Sequence, residues 1–215
     1  MAQELVFYTH PMSRGRIVRW MLEEVGAPYE TRVIDYGAQM KSQDYLAINP
    51  MGKVPALRHG DTVVTECPAI IAYLADAFPD AGLAPPAGSP LRAPYYRWLF
   101  FAAGPLEAAT INAFLGFEVP DEKRGMIGYG TLETALDTLE HALQGRETLV
   151  GDTFTAADLL ISSHLGWYLQ TGAIDERPEF VRYAQLHGNR RAAKRANEID
   201  DALLPNHPPP GAPAD

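Results

Sequence analysis

The sequence predicts an α/β half of order β-α-β-α-β-β-α followed by an all-α half, and three observations carry that prediction. Up to residue 78, short apolar runs alternate with segments of helical spacing. Residues 79–90 are dense in Pro and Gly and have no apolar period, as a semi-rigid linker would. Beyond them the apolar residues recur at helical spacing only. The expected division is residues 1–79, a linker 80–90, a helical domain 91–204, and a Pro-rich tail 205–215 that is extended or disordered.

Each element has its own signal. Leu5-Val6-Phe7-Tyr8 is apolar without alternation, the mark of a strand covered on both faces. Pro11 holds His10 extended and makes residues 9–12 a loop. From Ser13, Ile17, Met21 and Val25 follow a helical period that Gly26 ends. Residues 29–34 read as the next strand, completing a parallel β-α-β unit. After an irregular polar segment, residues 45–48 form a short helix. Residues 54–57 and 62–64 are strands joined at His59-Gly60-Asp61, and Glu66 opens a helix to Phe78 with Ile70, Ile71 and Leu74 on its buried face.

In the second half, residues 95–117 read as one aromatic-rich helix kinked at Gly104-Pro105. A helix over 122–143 is expected from Leu132, Leu136, Leu139 and Leu143, with Gly145 closing it. Thr155-Ala156-Ala157-Asp158 fits a capping box, with Asp in the usual place of Glu or Gln. Thr155 and Asp158 are therefore read as folding residues. The apolar run 159–169 is the central helix of this half, and helices at 178–187 and 190–203 finish it.

Composition limits what the chain can be. With 47% hydrophobic and 21% charged residues it is an ordinary globular sequence, and no apolar run reaches the ~20 residues of a membrane span. The start lacks the basic and apolar regions of a secretory signal. One Cys excludes an internal disulfide framework and fits a reducing cytosol, so the expected location is cytoplasmic. A net charge of −9 argues against nucleic acid as a partner.

The candidate chemistry gathers around Met51-Gly52-Lys53-Val54-Pro55. An X–Pro bond takes the cis form at a cost of only about 0.5–1 kcal/mol. A cis Val54–Pro55 would turn the Val54 backbone outward, toward an extended, peptide-like ligand. Eleven residues on, Glu66-Cys67-Pro68 opens a helix whose N–H groups and dipole attract a carboxylate, while the Glu66 side chain suits an amine. A backbone clamp, a lysine, an anion site and a carboxylate together suit a small zwitterionic peptide.

Asn49-Pro50-Met51-Gly52-Lys53-Val54-Pro55-Ala56-Leu57, with Glu66-Cys67 and Ile71-Ala72-Tyr73-Leu74 after it, resembles the glutathione-binding half of the glutathione S-transferase family. The opening run from Tyr8 through Ser13 to Leu22-Glu23-Glu24 is similar to that family's first strand and helix. Phe154-Thr155-Ala156-Ala157-Asp158 is similar to its second-domain capping motif. The resemblance runs from about residue 5 to residue 187. It implies a thioredoxin-like first domain, although the Cys-x-x-Cys of thioredoxins is absent.

The resemblance also implies roles. Ser13 matches the family's thiol-activating Ser or Cys, with Tyr8 as runner-up. Lys53 would pair with the glycine carboxylate of glutathione, Val54 with its cysteinyl part, and Glu66 with the γ-glutamyl amine. Cys67 stands where the family has Ser, and a thiol is a weaker donor than a hydroxyl. Met12, Phe101, Pro105, Phe114, Trp167 and Tyr168 are candidates for the electrophile pocket, and His10 is a loop residue near the site. Glutathione is the implied co-substrate, a small electrophile the implied partner, a homodimer the implied assembly, and no metal is implied. Isomerisation, dehalogenation, peroxide reduction, or a non-catalytic binding role remain open alternatives at this point.

Overall fold

The structure, a computed structural model, describes residues 4–207. The expected tail lies outside the described residues from position 208 on, and its start is taken up by a 3-10 turn, Leu204–Asn206.

Strand β1 (Leu5–Thr9) is the middle of the sheet, which explains why it is apolar on both faces. It runs parallel to β2 (Glu30–Val33), with Val6 opposite Glu30, and antiparallel to β3 (Ala56–His59), with Tyr8 opposite Ala56. β4 (Thr62–Thr65) pairs antiparallel with β3 and closes the order β2-β1-β3-β4. On one face Val6 and Tyr8 pack with Ile34, Met40, Tyr45 and Ala56. Phe7 and Thr9 point to the other face, under helix α1 (Gly15–Val25), which Gly26 ends at φ 71°. The four-residue helix α2 (Gln43–Leu46) precedes β3, and α3 (Cys67–Ala77) follows β4 and packs on α1. The expected strand and helix order of the first half is all present.

The second half is helical throughout: α4 (Arg92–Phe101), α5 (Glu107–Phe114), α6 (Leu132–Leu143), α7 (Ala156–Thr171), α8 (Pro178–Gly188) and α9 (Arg191–Leu203). Between α4 and α5 the chain widens into a π turn, Ala102–Leu106. Pro105 sits inside it and has no N–H to give, so the expected kink is where the proline puts it. The expected helix over 122–143 is only half there. Residues 121–126 form a 3-10 turn, and α6 starts at Leu132 with the Thr131 hydroxyl accepting from Thr134 N. Gly125 lies in that turn, Gly128 and Gly130 follow it, and Gly130 takes φ 67°, which breaks a helix. In α7 the capping box is formed: the Thr155 hydroxyl accepts from Ala157 N and Asp158 Oδ2 accepts from Thr155 N at 2.7 Å. Asp158 Oδ1 also accepts from Leu149 N (2.7 Å) and from the Tyr183 hydroxyl (2.5 Å), so the whole carboxylate is spent on structure.

Packing divides the chain differently from composition. Residues 4–81 form one compact unit together with 191–207, and residues 82–190 form the other. Helix α9, which composition places at the end of the helical half, lies along α1. The cause is a buried ion pair: Arg19 Nε donates to Asp200 Oδ1 at 2.7 Å, and both side chains are almost wholly shielded from solvent. Arg19 Nη1 also reaches the Tyr29 hydroxyl (3.2 Å) and Thr31 Oγ1 (3.1 Å), and its guanidinium lies 5.2 Å from the Phe7 ring centre. Burial pushes the Asp200 carboxyl above its usual range, with the Arg19 charge opposing that. Nearer solvent, Arg16 pairs with Asp201 and reaches Asn197 Oδ1 at 3.4 Å. Among the described residues no helix is long and apolar enough to cross a membrane.

Removing one partner of a buried pair leaves the other charge uncompensated. Asp200→Ala is expected to cost about 3–5 kcal/mol of unfolding free energy, whereas Arg19→Met combined with Asp200→Leu costs much less. Denaturant unfolding of the three proteins checks this, and equal losses in both variants would contradict it.

Candidate active site

The loop between β1 and α1 carries Ser13. Helix α1 begins so close to the end of β1 that a Cβ on Gly15 would come within 1.9 Å of Thr9 Oγ1, so only glycine fits. Ser13 lies two residues before the helix. Its hydroxyl donates to the His10 carbonyl at 2.7 Å and accepts from Gly15 N at 3.0 Å. The rest of the loop is pinned carbonyl by carbonyl: Thr9 O accepts from Ile34 N (2.8 Å), Pro11 O from Arg16 Nε (2.7 Å) and Met12 O from the Tyr36 hydroxyl (2.9 Å). The half-buried Ser13 therefore sits in a rigid frame at the positive end of a helix.

Tyr8, the other hydroxyl named by the sequence, is 3% exposed and packs beside Tyr45, ring centres 6.0 Å apart. The Arg32 guanidinium lies 5.9 Å from the Tyr8 ring centre. Its packing places Tyr8 in the cluster with Val6, Ile34, Met40, Tyr45 and Ala56.

Residues 41–54 form a second pinned loop. The Val54–Pro55 peptide is cis. The Lys53 carbonyl accepts from both Tyr45 OH and Asn49 Nδ2 at 2.7 Å, which fixes the backbone between Lys53 and Val54. Burial raises the Tyr45 pKa, so this phenol stays a donor. Asn49 Oδ1 accepts from Met51 N (3.1 Å), an Asx turn that aims the loop. Lys41 Nζ donates to the Met51 and Gly52 carbonyls at 3.1 and 2.8 Å, so a second ammonium stands on the loop that carries the exposed Lys53. Lys41, Tyr45 and Asn49 as loop anchors escaped the sequence reading. Asn49 opens the quoted motif, so its signal was present; Lys41 and Tyr45 had none.

The third piece is the start of α3. Glu66 is exposed and adopts φ 66°, ψ 118°, the one positive φ among described non-glycine residues. Its side chain makes no cap and Pro68 supplies no N–H, so the first turn of α3 is open to an outside acceptor. Cys67, 5% exposed, donates its thiol to the Arg14 carbonyl at 3.7 Å, bringing the starts of α1 and α3 together. Ser13, Glu66 and Cys67 thus share one end of the first unit.

The proposed electrophile residues are spread more widely. Met12 is 40% exposed on the Ser13 loop. Phe101 is half-buried, 5.3 Å from Trp98, and Pro105 lies in the π turn; Phe114 and Trp167 are exposed at 57% and 53%. Tyr168 is 2% exposed, its ring 5.4 Å from His164, and belongs to the core of the helical unit.

Comparison with known proteins gives this geometry its family. Residues 12–77 match the glutathione S-transferase N-terminal domain and residues 101–185 the C-terminal domain. The chain is 34% identical over 162 residues to a glutathione S-transferase of Xanthomonas campestris, covering 73% of this chain and 76% of that protein. It is 36% identical over 161 residues to one of Escherichia coli, covering 74% and 77%. A glutathione transferase structure from Methylococcus capsulatus superposes with a TM-score of 0.77 at 31% identity, over 92% of this chain and 99% of that one. Another, from Phanerochaete chrysosporium in complex with oxidized glutathione, gives 0.79 at 25% identity, over 94% and 98%. The chain belongs to the glutathione S-transferase family and is a glutathione transferase with a thioredoxin-like first domain.

The Glu66 backbone stores strain of about 1–3 kcal/mol. A glycine there releases it while giving up roughly 0.5–1 kcal/mol in unfolded-chain entropy. Glu66→Gly is therefore expected to raise unfolding free energy by about 1 kcal/mol, read by denaturant unfolding. A loss of stability would mean the Glu66 side chain supports the fold.

Proposed function

We propose that this enzyme adds the glutathione thiolate to an electrophilic carbon of a small apolar or aromatic molecule, in the cytosol and as a homodimer. The observation that carries the reading is Ser13: a hydroxyl in a pinned loop at the start of α1, with Glu66 and Cys67 at the adjoining start of α3. A free thiol has a pKa of about 8.5 and is mostly protonated at neutral pH. A hydrogen bond to the charged form lowers that value. Turning the Ser13 O–H from the His10 carbonyl toward the ligand sulfur would supply this bond, while the Gly15 N–H keeps the oxygen in place.

The other roles follow the same site. Lys53, with Lys41 beside it, would take the glycine carboxylate, and the Val54 backbone would pair with the cysteinyl part. The first turn of α3 would take the γ-glutamyl carboxylate, and Glu66 the amine. Met12, Phe101, Pro105, Phe114 and Trp167 would meet the electrophile, while Tyr168 stays with the core. No step calls for a metal; the work is thiolate stabilisation and positioning.

Ser13→Ala is expected to leave glutathione binding nearly intact and to raise the bound thiol pKa by about one unit, a tenfold loss of thiolate at neutral pH. Tyr8→Phe should leave that pKa unchanged. Ultraviolet titration of the bound thiolate separates them, and a shift in Tyr8→Phe alone would assign the role to Tyr8. The homodimer is supported by Tyr96 and Phe100, which are 43% and 72% exposed one helical turn apart on α4. Light scattering at micromolar protein should give twice the chain mass; a monomer mass would refute the dimer.

A further inference from the structure

His10 is 1% exposed, yet it is the residue on which the Ser13 loop is built. Its carbonyl holds the Ser13 hydroxyl, and its Nδ1 accepts from Met12 N at 3.1 Å. A nitrogen that accepts carries no hydrogen, so the imidazole is neutral with its proton on Nε2. That Nε2 faces Asp35 Oδ1 at 3.9 Å. The ring centre lies 4.4 Å from that of Tyr36, edge to face, and the Tyr36 hydroxyl closes the same loop on Met12 O.

We infer that His10 is a positioning residue for Ser13: neutral, it locks the loop through the Met12 amide, and protonation of Nδ1 opens that lock. The proton would place a second hydrogen on Nδ1, facing the Met12 N–H donor to donor. The hydrogen bond cannot survive that, and Met12, next to Ser13, loses its amide tie while its carbonyl stays with Tyr36. The inference deepens the transferase reading and rests on it for its effect on the thiol.

The groups around the ring set where this happens. Asp35 favours the charged ring, but His207 Nδ1 holds the same Oδ1 at 2.6 Å and competes for it. The His207 ring lies 6.2 Å from His10, and Arg14 and Arg16 add positive charge on the loop's own side. Burial is the largest effect and lowers the His10 pKa below its ordinary value. The unfolded chain therefore takes the proton first: the stability His10 contributes is present above about pH 6.5 and is lost as pH falls from there through its folded value.

The experiment compares full-length wild type, His10→Asn and His10→Leu. Asparagine puts Oδ1 where Nδ1 was, as an acceptor that does not titrate; leucine fills the space and accepts nothing. The first readout needs no glutathione: Met12 amide exchange by NMR between roughly pH 8 and pH 5, corrected for intrinsic exchange. Protection in wild type should fall at least about tenfold across that range, stay level in His10→Asn, and be low throughout in His10→Leu. The second is the bound thiol pKa together with kcat and KM. His10→Leu should raise the pKa by about one unit and lower kcat, with KM for glutathione within about twofold. His10→Asn should restore both and carry the acid limb of the rate profile to lower pH. Met12 protection that ignores pH in wild type, or Asn and Leu variants equally impaired, would overturn the inference. Failure of wild type to bind glutathione would instead remove the transferase reading, and the Met12 exchange would still decide this one.

Discussion

The close approach of α1 to β1 at Gly15 is the constraint on which the site depends. A side chain at 15 would run into Thr9, so the helix starts immediately beyond the strand end and the connecting chain has no slack. Five residues must turn within that space, and each carbonyl from Thr9 to Ser13 finds a donor there. Ser13 is therefore placed by backbone geometry. The same start points the dipole of α1 at the space where the Ser13 hydroxyl would meet a thiolate.

Further along α1, Arg19 ties that helix to α9. A buried ion pair is weak evidence for stability, because desolvation offsets most of the attraction. Its value here is in specifying position. Arg19 reaches Asp200, Tyr29 and Thr31 at once, so α9 has one register against the helix that carries the site. Through Arg16, with Asp201 and Asn197, that register extends to the Pro11 carbonyl. The end of the first unit, far along the chain, thus bears on the loop near its beginning.

What could be read from the sequence follows from how local each cause is. Strand β1 was legible because burial on both faces leaves no alternation, and α7 because Thr155 and Asp158 cap within one turn. The helix expected over 122–143 failed because leucine spacing was extended through Gly125, Gly128 and Gly130, whose backbone freedom outweighed it. Helix α9 was seen as a helix, but its place on α1 depends on a partner 181 residues away, which no spacing rule can show. The site divides the same way. Ser13, Lys53, Val54, Glu66 and Cys67 sit in short motifs, whereas Lys41 and Tyr45 matter through side chains that close a later loop, and His10 through a ring nitrogen that closes its own.

Under the proposed reading, the energies involved favour a hydrogen bond over the helix dipole as the means of activating the thiol. A helix N-terminus contributes about 0.3–1 kcal/mol to a nearby anion, and up to ~2 in a partly buried site. Lowering a thiol from about 8.5 to below neutral needs more than about 1.5 pKa units, or about 2 kcal/mol. At its usual strength the dipole of α1 falls short of that, and the arginines beside it are screened by solvent. A hydrogen bond to a charged acceptor is worth roughly 1.5–3 kcal/mol, against about 1 for the neutral bond between Ser13 and the His10 carbonyl. The hydroxyl therefore gains on leaving His10 only when a thiolate is there to receive it. Held at 2.7 Å in the free protein, it is satisfied until the anion forms, and the exchange of partners favours the ionised ligand over the neutral one.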